Sequence, residues 1–241
     1  MIAPDIRTHM LATYKALRWS MAGVAAVFLL SLALYKAFGH DSDRRDSISA
    51  YYHHTNQDLP MQVLFVGTFA AIGLLLLAYQ GYTDRENWVL NVAGAALLGV
   101  LFFPMDWPVD RPEPQSVREK VHIGCAFVFF VGIAYVCLFR ARDTLEHMTN
   151  QKWVRTYKRL YFFTGAMMAS VPLIWLGFYL AGVKSRVYIV EFCGVYFFHS
   201  YWVIKNIELR SAGGVEKAEQ IDRVAVEARA EQRAMEVEQS K

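Results

Sequence analysis

The chain has 241 residues, of which 55% are hydrophobic, 15% aromatic and 20% charged, with a formal net charge of +3. Such a composition excludes a disordered chain, and three cysteines make no disulfide framework. The apolar residues fall in six windows of about 18–22 residues, each long enough to cross a ~30 Å hydrocarbon layer. A soluble single-core domain is therefore excluded too. The basic excess lies in stretches flanking the windows, where lipid headgroups account for it, and no nucleic-acid partner is expected.

In chain order the windows cover residues 19–38, 61–80, 88–105, 121–139, 160–182 and 187–204. Backbone polar groups in hydrocarbon must be satisfied within the segment, so each window reads as a helix. The first is too long for a signal-peptide core of about 7–15 apolar residues and is expected to be a retained span. The expected fold is all-α: a polytopic integral membrane bundle of six transmembrane helices with a cytoplasmic C-terminal helical tail. Residues 1–18 form an N-terminal segment, 19–206 the membrane domain and 207–241 the tail. With the N-terminus inside, 12 Lys and Arg residues flank the inner side, six of them within residues 140–159, against 8 on the outer side. Both termini therefore read as cytoplasmic. Trp19, Trp88, Trp153 and Trp202 then fall at inner interfaces and Trp107 at an outer one, as an aromatic belt requires.

Cys125, Cys137 and Cys193 all lie inside spans and read as small apolar fillers. After Gly213 and Gly214 the tail is rich in Glu, Ala, Gln and Arg, which are helix formers. Ala218, Ile221, Ala225, Ala228 and Met235 give it a thin apolar stripe. Two readings stand: a solvated helix, or a helix that docks a protein partner or a second copy of the chain.

Residues able to do chemistry gather on the expected outer side. The first outer loop holds Ser47, Ser49, Tyr51, Tyr52, His53 and His54; the second opens at Asp106 and leads to His122; Glu191 lies about one turn inside span six. Ionisable residues within a span are costly and point to a cavity or a polar pair. A ligand pocket is therefore expected from Ser47, Ser49, Tyr52, His53, Asp106, His122 and Glu191, with His199 on the same helix roughly 12 Å deeper. Plainer readings stand beside it. Glu191 would pair with Lys184 or Arg186, His199 would be a neutral histidine bonded to a neighbouring helix, and the Tyr and His rings would only anchor the interface.

Three classes of function follow. Ser49-x3-His53 with Asp106, His122 and a late histidine, His199, resembles the ceramidase and adiponectin-receptor hydrolase superfamily, in which Ser-x3-His, an Asp and His-x3-His hold a metal. Under that reading His53, His122 and Asp106 would ligate zinc, which lowers the pKa of a bound water; Val203 stands where the second late histidine belongs. A haem-binding redox subunit would use His122 and His199 as axial ligands. The third class is a non-catalytic protein that binds or remodels lipid or assembles a membrane complex, with no cofactor. Ser47-Ile48-Ser49 in the first outer loop, Leu90-Asn91-x-x-Gly94 opening span three, and His122 ahead of Gly124-Cys125-Ala126-Phe127 occur in order over residues 19–206. In this respect the chain resembles the six-pass DRAM/FRAG family, although that family has Pro-Glu before span two where Pro60-Met61 stands here. The resemblance implies outer loops that meet lipid headgroups. Membrane lipids are the expected partners, and the third class is the preferred expectation.

If the tail is only a solvated helix, deleting residues 215–241 leaves the oligomeric mass in detergent unchanged by light scattering. A smaller mass marks it as an assembly helix.

Overall fold

The computed structural model describes residues 6–38, 46–54, 61–107, 116–148, 150–182 and 187–211. Among them every regular element is helical. Six long helices follow in chain order: α1 Ile6–Ala37, α2 Met61–Ala78, α3 Asp84–Phe102, α4 Val117–Tyr135, α5 Gln151–Leu180 and α6 Val187–Ser211. Five of them, counting α4 with the short helical segments after it, are long and apolar enough to cross a membrane. The other, α3, has 19 residues but opens on Asp84, Arg85 and Glu86. Helices α1 and α5 begin well before the apolar windows, because residues too polar for hydrocarbon still propagate a helix once it is nucleated. Residues 1–5 and 212–241, and with them the readings of the tail, lie outside the described residues.

Each helix packs on the next, and α6 returns to α1, closing a ring. Between apolar helices in lipid there is little hydrophobic drive to associate, so close approach has to come from small residues. Gly94 of α3 meets Gly73 of α2 so closely that a Cβ on Gly94 would lie 2.8 Å from the Gly73 carbonyl. Aromatic rings fill the interior: Phe28 packs on Phe65 and Phe69, and Tyr79 meets Trp202 edge-on at 5.2 Å. The outer surface leaves Val27, Leu30, Val63, Leu74, Phe162 and Leu173 exposed, an apolar belt no water-soluble monomer carries without a partner phase.

The two ends of the ring are closed by short segments. At one end a 3-10 turn, Ser49–His53, lies between α1 and α2. At the other, α4 widens into a π-helical segment, Val136–Arg140, and a 3-10 turn, Asp143–His147, leads towards α5. This second end is built around a buried ion pair on α6. Lys205 Nζ lies 3.2 Å from Glu208 Oε2, and both side chains are almost wholly out of contact with solvent. All three ammonium protons have acceptors: Glu208, the Thr144 hydroxyl at 2.6 Å and the Ala141 carbonyl at 3.3 Å. Glu208 accepts in turn from Thr144 Oγ1 at 2.8 Å and from the Tyr161 hydroxyl at 2.6 Å. The π-helical turn, closed by Ala141 N–H on the Val136 carbonyl at 2.7 Å, precedes the two groups that meet Lys205, Ala141 and Thr144. Nearby, Thr83 caps α3 through Glu86 N–H at 3.2 Å, and Glu86 reaches back to the Tyr82 N–H at 2.9 Å.

This network alters one element of the charge pattern. In the sequence Lys205 reads as a cation flanking the membrane; in the structure it points into the bundle with its charge matched by Glu208 three residues on. A buried charge that loses its directly paired counter-charge is costly, whereas an apolar replacement of both partners is often tolerated. Glu208→Leu is expected to destabilise the protein by about 3–5 kcal/mol, and the double variant Lys205→Met/Glu208→Leu to recover most of that loss. Denaturant unfolding in detergent, followed by tryptophan fluorescence, measures both.

Candidate functional site

Segment 46–54 forms a cap over the opposite end, and a carboxylate holds it there. Glu191, one turn into α6, accepts at Oε2 from the Ser47 hydroxyl at 2.8 Å and from the backbone N–H groups of Ile48 and Ser49. Its Oε1 accepts from the Ser49 hydroxyl at 3.1 Å. The first N–H groups of a helical turn have no partner within the turn, and Glu191 supplies one. Two further bonds fasten the cap: Tyr188 N–H to the Asp46 carbonyl at 2.7 Å, and His54 Nε2 with the Tyr35 hydroxyl of α1 at 2.8 Å. Ile48, Ala50 and Tyr51 are buried beneath it. Lys184 and Arg186, the alternative partners for Glu191, lie outside the described residues; the cap supplies three donors to Oε2 and one to Oε1.

The histidines are tied individually to backbone carbonyls. His53 Nε2 donates to the Met105 carbonyl at 2.7 Å, with its ring stacked on Trp107 and edge-on to the half-buried Tyr52. His122 Nδ1 donates to the carbonyls of Val100 and Phe103 at 3.1 and 3.0 Å. His199 Nδ1 donates to the Ala22 carbonyl of α1 at 2.9 Å, the bond to a neighbouring helix of the plainer reading. A carbonyl only accepts, so each of these nitrogens carries a proton; in a neutral ring the other nitrogen is an acceptor. Asp106 braces the start of α4, accepting from Ser116 N–H at 3.1 Å and Arg118 at 2.9 Å. Bonds from the Ser116 hydroxyl, and after it the Arg118 guanidinium, hold the Asp106 carboxyl at about 2, below the usual aspartate range.

Ser47, Ser49 and Glu191 are thus brought together, while His53, Asp106 and His122 turn to separate partners. Ser49 donates to Glu191 and His53 to Met105, so the Ser-x3-His pair does not form the hydroxyl–imidazole couple that the spacing suggests. Among the described residues no three His, Cys, Asp or Glu side chains converge as a metal site. The three cysteines are free thiols, with Cys137 fully buried, which fits their role as fillers.

Two narrow crevices meet at Glu191. One, of about 50 Å³, runs between α2, α3, α4 and α6 with Phe69, Leu97, Phe129 and Phe198 among its walls and Ser49 and Glu191 as its polar lining. The other, of about 60 Å³, lies between α4, α5 and α6 against Phe127, Val171, Pro172 and Trp175, with His122 and Glu191 as its polar groups. Ala126 and Phe130 line both. Gly194 makes room for the Phe130 ring, since a Cβ there would stand 2.5 Å from it. Pro172 leaves the Met168 carbonyl of α5 without its helical donor beside the second crevice. The arrangement places the Glu191 carboxylate and the His122 ring at the head of an apolar slot.

Glu191 and the buried pair on α6 are the groups on which the ends depend, yet only Glu191 stands out in sequence. Glu208, Thr144 and Tyr161 do not; the readable signal is Lys205-x2-Glu208 closing an apolar span.

Replacing Glu191 by Ala removes the shared acceptor of the cap, and limited proteolysis within residues 46–54 is expected to accelerate about tenfold, the effect of about 1.4 kcal/mol of local opening free energy. The folded-state pKa of Asp106 lies below its unfolded value, so its contribution to stability is complete above about pH 4 and is lost as pH falls towards 2. The difference in melting temperature between wild type and Asp106→Asn is expected to be constant at neutral pH and to shrink through that window.

The chain matches no protein-family model, no curated protein and no solved structure.

Proposed function

We propose that the chain is a six-pass membrane protein with both termini in the cytoplasm, and that it binds a membrane lipid without catalysis. The lipid's apolar part lies in the crevices around Phe130, and its polar part sits under the 46–54 cap. One observation carries the reading: two aromatic-walled crevices converge on a single carboxylate at one end of the bundle. Ligand sites are commonly apolar with a few convergent polar groups, and this one has that character. The head of the slot presents acceptors, so it suits a lipid bringing hydroxyl or amide N–H donors. The metal-dependent hydrolase and haem readings have no comparable support: the histidines they need each donate to a separate backbone carbonyl.

Ala126 borders both crevices, so Ala126→Phe is expected to fill them. Purified from detergent, the wild type should retain about one lipid per chain by native mass spectrometry, and Ala126→Phe at least about fivefold less, the loss of about 1 kcal/mol of binding free energy. Val131→Phe, at an exposed position of α4, should retain as much as wild type. Equal retention by Ala126→Phe, or a wild type that neither carries nor reloads lipid, overturns the reading. For the topology, single cysteines at positions 110 and 149 in a cysteine-free chain should differ: a membrane-impermeant maleimide on intact cells labels the first and not the second.

A further inference from the structure

The end of the bundle opposite the cap holds a second, larger pocket that the lipid reading does not use. It has about 300 Å³ of free space beside the 3-10 turn and the first turns of α5. Its buried wall is apolar, from Leu145, Met148 and Val154, and its polar lining includes Arg142, Gln151 and Lys158. Arg142 Nε is buried and has no hydrogen-bond partner among the described residues. A guanidinium N–H left without an acceptor in a protein interior is costly, and an acceptor brought by a ligand relieves that cost.

The charge balance around the pocket says what kind of acceptor fits. Asp143, which also borders it, faces Arg140 at 3.4 Å, and Lys205 is matched by Glu208. Among the described residues lining the pocket, Arg142 and Lys158 then stand against the exposed Glu146. Lys152, Arg155 and Arg159 add positive charge on the same stretch of α5, a helix that contains no Asp or Glu. Arginine's planar fork suits the paired oxygens of a phosphate, and a lysine adds a point charge. A free anion would gain nothing from Leu145, Met148 and Val154, whereas the glycerol and first methylenes of a lipid would lie on them. Trp153, half exposed beside Tyr157, marks the rim as an interfacial position.

We infer that this pocket binds the phosphate group of a membrane phospholipid, held by Arg142 and Lys158 with its glycerol end against Leu145, Met148 and Val154. On the topology proposed above the lipid belongs to the cytoplasmic leaflet, and the site is separate from the crevices at Glu191.

The test uses the full chain in a neutral detergent, titrated with short-chain phosphatidylglycerol, with diacylglycerol of the same chain length and with inorganic phosphate, reading Trp fluorescence and melting temperature. Phosphatidylglycerol is expected to bind saturably and to raise the melting temperature. Arg142→Gln/Lys158→Gln is expected to weaken it about tenfold or more, as the loss of charge-assisted hydrogen bonds requires. Diacylglycerol should bind poorly and alike to both proteins, and inorganic phosphate should compete only weakly. If the double variant does not fold, Lys158→Gln alone, at an exposed position, is expected to weaken phosphatidylglycerol by a smaller factor. Ala126→Phe, which fills the other site, should leave phosphatidylglycerol binding intact, so the two proposals fail separately. Equal binding of phosphatidylglycerol and diacylglycerol, affinity unchanged in the variants, or full competition by inorganic phosphate each overturns the inference.

Discussion

A carboxylate taken out of water has to be met by donors, and α6 carries two such groups, Glu191 and Glu208, about 25 Å apart along its axis. Each is met by a different, distant part of the chain. Glu191 takes the hydroxyls and N–H groups of residues 47–49, more than 140 residues away in sequence. Glu208 takes Tyr161 from α5 and Thr144 from the turn after α4, and shares Lys205 with them. Between these two anchor points α6 is largely apolar and aromatic, and it is further tied to α1 by His199 on the Ala22 carbonyl and by Arg18 on Asn206. Desolvation of its carboxylates thus determines where the loops at both ends must lie. A slide of α6 by one residue would strip donors from both.

The same requirement shapes the candidate site. Because Glu191 is already engaged with the cap, its oxygens act as fixed acceptors at the head of two crevices and not as a free base. His122 is similarly committed, with Nδ1 given to the carbonyls at the end of α3. The acid and the imidazole of this site are each anchored to the scaffold, Glu191 by the hydroxyls of Ser47 and Ser49 and His122 by the end of α3. Gly194 lets the Phe130 ring, which lines both crevices, stand close against α6, and Pro172 borders the second crevice within α5.

Much of this is readable from the chain alone. The apolar windows locate the helices, since hydrocarbon leaves the backbone no other way to satisfy its polar groups. Glu191 is conspicuous because a charge inside a span has to be explained, and Ser47 and Ser49 are noticeable as hydroxyls near the expected interface. What sequence spacing misjudges is His53: Ser49-x3-His53 suggests a couple on one helical face, but a 3-10 turn places residues i and i+4 differently from an α-helix, and the imidazole turns to Met105. Lys205 is misread for the opposite reason. At the end of an apolar run a lysine normally reaches for water, and nothing local announces that Thr144 and Ala141, over 60 residues earlier, wait to receive it.

The sequence by itself therefore determines the class of solvent, the number of long apolar segments and the few ionisable residues that must find partners. Those follow from one-dimensional quantities, the length of each apolar run and the cost of a charge within it. Only the tertiary structure decides which partner each charge finds, which histidine nitrogen keeps its proton, and where the packed helices leave space. Those depend on contacts between segments tens to hundreds of residues apart, set by the ring order of the helices and by the donors each carboxylate gathers around itself.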